Sequence, residues 1–199
     1  YDYGDMIAPG FFGAGDLNSI VGDVEEHVDR VLRKTGAEQV DIVAHSQGAL
    51  MTKLFISRGG AAKVRRVVAM GGNFHGTTLN GQGEALSKII AFAPHLAAFL
   101  ASTAGIQQVV GSEFMKRLNA LPDTAPGVLY TSIYSPGDTT VTPNSSSQLV
   151  AVDGADVVNL DLGEVCGVAP RHDKLPTDRT ALSQVIFGLK RAPGDGPEP

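Results

Sequence analysis

Val40-Asp41-Ile42-Val43-Ala44-His45-Ser46-Gln47-Gly48-Ala49 decides the reading of this 199-residue chain. Val40 to Ala44 is a short apolar run with β-branched residues, the pattern of a buried strand. It passes without a gap into a helical pattern carried by Ala49, Leu50, Leu54 and Phe55. A strand that turns this abruptly into a helix needs small residues two before and two after the residue at its apex, where side chains would collide. Ala44 and Gly48 stand at those places and Ser46 stands between them. Such a turn strains the backbone of the serine and raises its hydroxyl above the sheet edge. The N–H of the next residue, Gln47, then lies at the positive end of the helix, suited to a developing oxyanion.

A serine hydroxyl is a weak nucleophile at neutral pH. It needs a base within hydrogen-bond reach, and the base needs a carboxylate to orient it. The flanking pattern supplies candidates. A helix is expected from Asp16 or Ser19 to about Thr35, with Ile20, Val24, Val28, Val31 and Leu32 on one face and Gly36 as cap. Val64 to Met70, Val128 to Tyr134 and Val157 to Leu162 read as further strands, and a last helix follows Pro176 and Thr177. Strands alternating with helices make a parallel sheet, whose functional groups gather beyond the carboxyl ends of the strands. Ser46, Asp138 and His172 each follow a strand in this way. Of the five histidines, His45 is too close to Ser46 to fold back on it. His27 lies on the first helix, His95 in a long insertion, and His75 precedes every suitable acid. Asp153 and Asp156 precede the last strand, Asp161 lies within it, and Asp173 adjoins His172. The order Ser46, Asp138, His172 is therefore the expected constellation.

With these pieces in place the chain resembles the bacterial class 2 lipases of the α/β-hydrolase superfamily. The resemblance rests on 40–48, on Gly-Gly-Ala-Ala-Lys-Val-Arg-Arg-Val-Val (59–68), on Asn-Phe-His-Gly-Thr-Thr (73–78), on Ser-Pro-Gly-Asp-Thr-Thr-Val-Thr-Pro (135–143) and on a histidine after the last strand. It implies an α/β fold, mostly parallel and flanked by helices, with Ser46, Asp138 and His172 as the triad. It also implies hydrolysis of carboxylic esters, lipids foremost, outside the cell. His75 carries no triad role and reads as structural support. Two departures stand out. Ala49 replaces a usual glycine, and the family's strand ending in His-Gly, whose loop gives the second oxyanion donor, has no counterpart here. An upstream segment completing the sheet is therefore expected.

The domain is expected over 1–191, with 79–126 a helical insertion acting as lid or cap and 192–199 a Pro/Gly-rich, acidic, disordered tail. Phe11 and Phe12, in a Gly/Pro loop leaving the site's edge, and Phe92, in the insertion, are candidates for an acyl pocket. Net charge is −5 and no basic run occurs, which argues against nucleic acid. No run of 18 apolar residues marks an integral membrane segment. No metal or organic cofactor is implied. The lone Cys166 is a buried thiol or the partner of an upstream cysteine. The rival readings are an acyltransferase or polyester depolymerase with the same triad, and a catalytically silent binding protein on this fold.

Overall fold

A computed structural model describes residues 13–78 and 102–197. Helix α1, Leu17–Thr35, starts at Asp16, whose side chain accepts from the Asn18 N–H, and ends at Gly36 in the left-handed region. Its buried stripe of Leu17, Ile20, Val21, Val24 and Val28 contributes about 1.5–3 kcal/mol for each large side chain removed from water. Strand β1, Val40–His45, leads through Ser46 into α2, Gln47–Ser57. Strand β2 is Val64–Met70. In the described part of the insertion lie α3, Thr103–Gln107, and α4, Glu113–Asn119, both N-capped by serines. Strands β3, Leu129–Tyr134, and β4, Asp156–Asp161, complete a four-stranded parallel sheet in the order β1-β2-β3-β4. Helices α5, Leu162–Cys166, and α6, Arg179–Lys190, follow.

Alternate residues of the strands serve opposite faces. Val67, Ala69 and Tyr130 join the core formed with α1, α2 and α4, while Val68, Met70, Ile133 and Leu160 join that formed with α5 and α6. Both faces are thus covered, as a parallel sheet requires. Gly188 lets α6 approach the sheet closely, since a Cβ there would stand 2.9 Å from Val68 Cγ2. Phe114, Met115 and Leu118 of α4 are buried, so this half of the insertion belongs to the core.

Two buried charged groups tie the fold together away from the Ser46 turn. Lys53 Nζ lies 2.6 Å from Asp123 Oδ1 and 3.3 Å from the Phe74 carbonyl, with only 1% of the lysine side chain exposed. Asp123 Oδ2 in turn meets His75 Nε2 at 3.2 Å and accepts from the Val150 N–H at 3.0 Å. Arg191, after α6, donates to Thr131 Oγ1 and the Tyr130 carbonyl and pairs with Asp156. Beyond it the Gly194 N–H donates to Asp156 Oδ2 at 2.7 Å.

Like β4, β1 is an edge strand among the described residues, pairing only with β2, but its Val43 is 47% exposed. Its outer edge and the facing side of α1 line an apolar cleft of about 410 Å³ that includes Val24, Val28, Ile42, Val43 and Met51.

Candidate active site

The carboxyl ends of the four strands lie level. Ala44 of β1 is paired with Ala69, Met70 with Ile133, and Tyr134 with Asp161. The ladder continues one step into the connecting turns, through Ser46 N–H to the Met70 carbonyl at 3.0 Å and Gly71 N–H to the Ile133 carbonyl at 2.8 Å. Ser46 takes φ 54° and ψ −123° and is the one non-glycine residue of positive φ among those described. A residue so placed costs on the order of 1–3 kcal/mol and persists because the strand before and the helix after it over-determine the turn. Gln47 opens α2.

Three side chains meet above this edge. Ser46 Oγ lies 2.8 Å from His172 Nε2, and His172 Nδ1 lies 2.6 Å from Asp138 Oδ2. A carboxylate only accepts, so Nδ1 carries the proton of the neutral ring and the Nε2 lone pair faces the serine hydroxyl. Asp138 is buried, with 1% of its side chain exposed. Its second oxygen accepts from the Thr140 and Val141 N–H groups at 2.8 and 3.0 Å, and its carbonyl accepts from Asn144 Nδ2. The turn after β3 therefore fixes the carboxylate from its own backbone.

The segment that carries His172 is clasped at several points. Ser135 Oγ donates to the Pro170 carbonyl at 2.7 Å. A Cβ on Gly137 would fall 2.2 Å from the Ala169 carbonyl oxygen, so glycine is required for this contact. Leu175 is fully buried beneath the site. Gly71, at φ +53°, leaves room at the centre: a Cβ there would lie 3.1 Å from His172 Nδ1 and 3.2 Å from Asp138 Oδ2. His45 stacks on His172 with ring centroids 4.6 Å apart and meets the His172 carbonyl through Nε2 at 3.0 Å.

Next to Ser46 the Gln47 side chain is buried. Its amide donates to the Gly13 carbonyl at 2.9 Å and accepts from Gln108 Nε2 at 2.6 Å, while Asn73 Nδ2 donates to Gln108 Oε1. This polar chain links the serine turn to α3 and to the segment after β2. The other carboxylates weighed from sequence lie elsewhere: Asp156 pairs with Arg191, Asp161 caps α5, and Asp173 meets Arg171 and Lys174. His75 belongs to the Lys53–Asp123 group. Phe11, Phe12 and Phe92 lie outside the described residues. No cluster of metal-binding side chains occurs among the described residues, and no described helix is long and apolar enough to cross a membrane.

Sequence reasoning did not single out Gly71, Gly137, Asn73 or Gln108. The two glycines stand at strand ends, which is a signal for close approach. The amides carry no such mark, because their partners come from segments 34 or more residues away.

Comparison with known proteins agrees in fold. Aspergillus fumigatus lipase B superposes with a TM-score of 0.76 at 23% identity, over 92% of this chain and 44% of that one. A bromoperoxidase from Bacillus anthracis gives 0.56 at 14% identity over 90% and 76%, and the mature lipase BlEst2 of Bacillus licheniformis 0.53 at 16% over 74% and 66%. The chain thus spans less than half the length of the Aspergillus lipase. No curated protein sequence matches it. The family described as Lipase (class 2) matches residues 21–160, more than half of the sequence. With an α/β-hydrolase sheet and this match, the chain belongs to the class 2 lipase family.

Proposed function

We propose that the chain is a serine hydrolase of carboxylic esters, lipids foremost, acting outside the cell through an acyl-enzyme. His172 Nε2 takes the proton of Ser46 Oγ as that oxygen attacks the ester carbonyl. Asp138 keeps the ring in the tautomer with the proton on Nδ1 and stabilises the imidazolium. The Gln47 main-chain N–H, at the positive end of α2, supplies an oxyanion donor. His172 then protonates the departing alcohol. It next activates a water that releases the acid and restores the serine. The observation that carries this reading is the run Ser46 Oγ to His172 Nε2 to Asp138 Oδ2, at 2.8 and 2.6 Å on a buried carboxylate.

The test is covalent labelling by a fluorophosphonate together with hydrolysis of a soluble short-chain ester. Wild-type chain should lose activity as Ser46 is labelled. Ser46→Ala should neither label nor turn over, with a loss of roughly 10³ or more, below the ~10⁶ known for a triad serine in a protease because esters are easier substrates. Retention of a tenth of the activity in Ser46→Ala would overturn the assignment. The edge of β1, unpaired among the described residues, and its apolar cleft support a companion reading, that an extended segment from upstream of Tyr1 pairs with β1. Amides of β1 in the 199-residue chain should then exchange much faster than those of β2; equal protection would end that reading.

A further inference from the structure

His45 immediately precedes the serine, yet it faces the base. Its Nε2 lies 3.0 Å from the His172 carbonyl oxygen, and its ring packs on the His172 ring at 4.6 Å and 38°. A carbonyl oxygen only accepts, so His45 Nε2 carries its proton and donates. We propose that His45 is a positioning residue for the base: a neutral hydrogen-bond donor that holds the His172 backbone over the serine turn, an inference resting on the triad reading above.

Three observations converge on this role. First, the segment from Pro170 to Lys174 bears the base but lies beyond β4, in a short 3₁₀ turn, with no strand or long helix to hold it. Its described anchors toward the serine side are few. Ser135 holds Pro170 and Leu175 is buried, and between them His45 Nε2 reaches the carbonyl of His172 itself. Second, β1 fixes His45 with the same rigidity as Ser46, because His45 is in ladder register with Met70 and the Ser46 N–H bonds the Met70 carbonyl. Nucleophile and base are thereby tied to one strand end, so their separation does not depend on how loops drift. Third, the site keeps His45 uncharged. Burial and the adjacent His172 push its pKa down to about 4, against opposing contributions from the His172 carbonyl, Asp138 and Asp173. A charged ring stacked here would oppose the imidazolium that His172 must become, and a neutral donor does not.

The test separates the hydrogen bond from the ring. His45→Phe keeps a ring and removes the donor; His45→Gln removes the ring and keeps an amide N–H at the reach of Nε2. Readouts are kcat and KM on a soluble p-nitrophenyl ester, the rate of fluorophosphonate inactivation, and the melting temperature. A small misplacement of a catalytic group costs on the order of 10- to 100-fold in rate. The expected result is that His45→Phe loses kcat and inactivation rate together by this factor with KM within about twofold, while His45→Gln recovers to within about threefold of wild type. Wild-type rates in His45→Phe would overturn the proposal, and so would equal losses in both variants at unchanged melting temperature. Failure of the triad reading has a different signature, activity surviving in Ser46→Ala.

Discussion

Gly71→Ala places one methyl group at the centre of the site, and its consequences follow from the geometry. Two separate costs arise. The backbone of Gly71 is left-handed, at φ +53°, which costs a residue with a Cβ roughly 1–2 kcal/mol. The methyl would also stand 2.9 Å from Leu175 Cδ1, 3.1 Å from His172 Nδ1 and 3.2 Å from Asp138 Oδ2. Leu175 is fully buried and Asp138 is held by two backbone N–H groups, so neither yields easily. Overpacking of this kind costs about 1–3 kcal/mol. The two together give a loss of roughly 2–5 kcal/mol in stability. The softest of the three neighbours is the imidazole, and its movement lengthens the bond to Asp138 or to Ser46.

Gly127→Ala supplies the control. Gly127 is also left-handed, at φ +78°, and a Cβ there meets nothing within 4 Å. It should carry the conformational cost alone, a fall of about 2–8 °C in Tm for a protein of this size. Its kcat should not change. Gly71→Ala should melt lower still and lose about 10²-fold in kcat. Urea denaturation, differential scanning calorimetry and ester hydrolysis measure all three. If Gly71→Ala matches Gly127→Ala in stability and retains wild-type kcat, the contacts inferred around His172 and Asp138 do not constrain the site and the reasoning fails.

Two further predictions concern charge. Asp123→Asn should destabilise the chain by about 3–5 kcal/mol in urea titrations, because it leaves Lys53 buried without its partner, whereas Lys53→Met combined with Asp123→Leu should recover most of the loss; an equal loss in the double variant would show that the pair itself is stabilising. His45 should make the fold sensitive to acid. Its pKa is about 4 in the folded state and near 6.5 when exposed, so the unfolded chain binds the extra proton between these values, and its stability contribution is complete above about pH 6.5 and lost as pH falls towards 4. The groups facing it are His172, Asp138 and Asp173, with His27 lining the same cleft. His45→Gln should therefore lose less stability than wild type between pH 7 and 4.5. Parallel curves for the two proteins would refute this. His75 works in the opposite direction: its bond to Asp123 raises its pKa, so its contribution is present below about pH 6.5 and fades as pH rises.

Much of the fold was legible because its signals are local. The α1 stripe, the Gly36 cap and the run Val64 to Met70 depend on neighbours within a few residues, and the observed elements begin and end within about two positions of the expected ones. The Ser46 turn is equally local, since strand, small residues and helix are contiguous. The contacts of His172 with Ser46 and with Asp138 span 126 and 34 residues. Chain order and the geometry of parallel sheets, which bring strand ends to one edge, carry the expectation that these three side chains meet. What could not be read is what depends on three-dimensional neighbours. Lys53 follows an apolar helical run as an ordinary solvated lysine would, yet it is buried because Asp123, 70 residues away, comes to meet it. The short helix α5 is set by Asp161 capping Gly163 and Glu164, in a stretch whose strand pattern hides the change of direction. In the sequence His45 stands only as a rival to His172, and its adjacency to Ser46 excludes it. The same adjacency is what brings it to the backbone of His172.

The distribution of hydrogen bonds explains how a strained serine and a loop-borne histidine keep a common geometry. Side chains alone have several rotamers, and each immobilised one costs conformational entropy. Here the rigidity comes largely from main-chain groups that the fold has already ordered. Ser46 is held by the Met70 carbonyl, Gly71 by the Ile133 carbonyl, and Asp138 by the Thr140 and Val141 N–H groups. His172 is held at its own carbonyl by His45 and, one turn back, through Pro170 by Ser135. Each anchor lies on a strand or on the first turn beyond it. The site is thus an extension of the sheet's hydrogen-bond ladder past the ends of the strands, and the glycines at 71 and 137 are the places where that extension needs backbone to approach more closely than any side chain allows. Displacing β1 would on this account loosen Ser46 and His172 together, because Ser46 and His45 leave the same strand end.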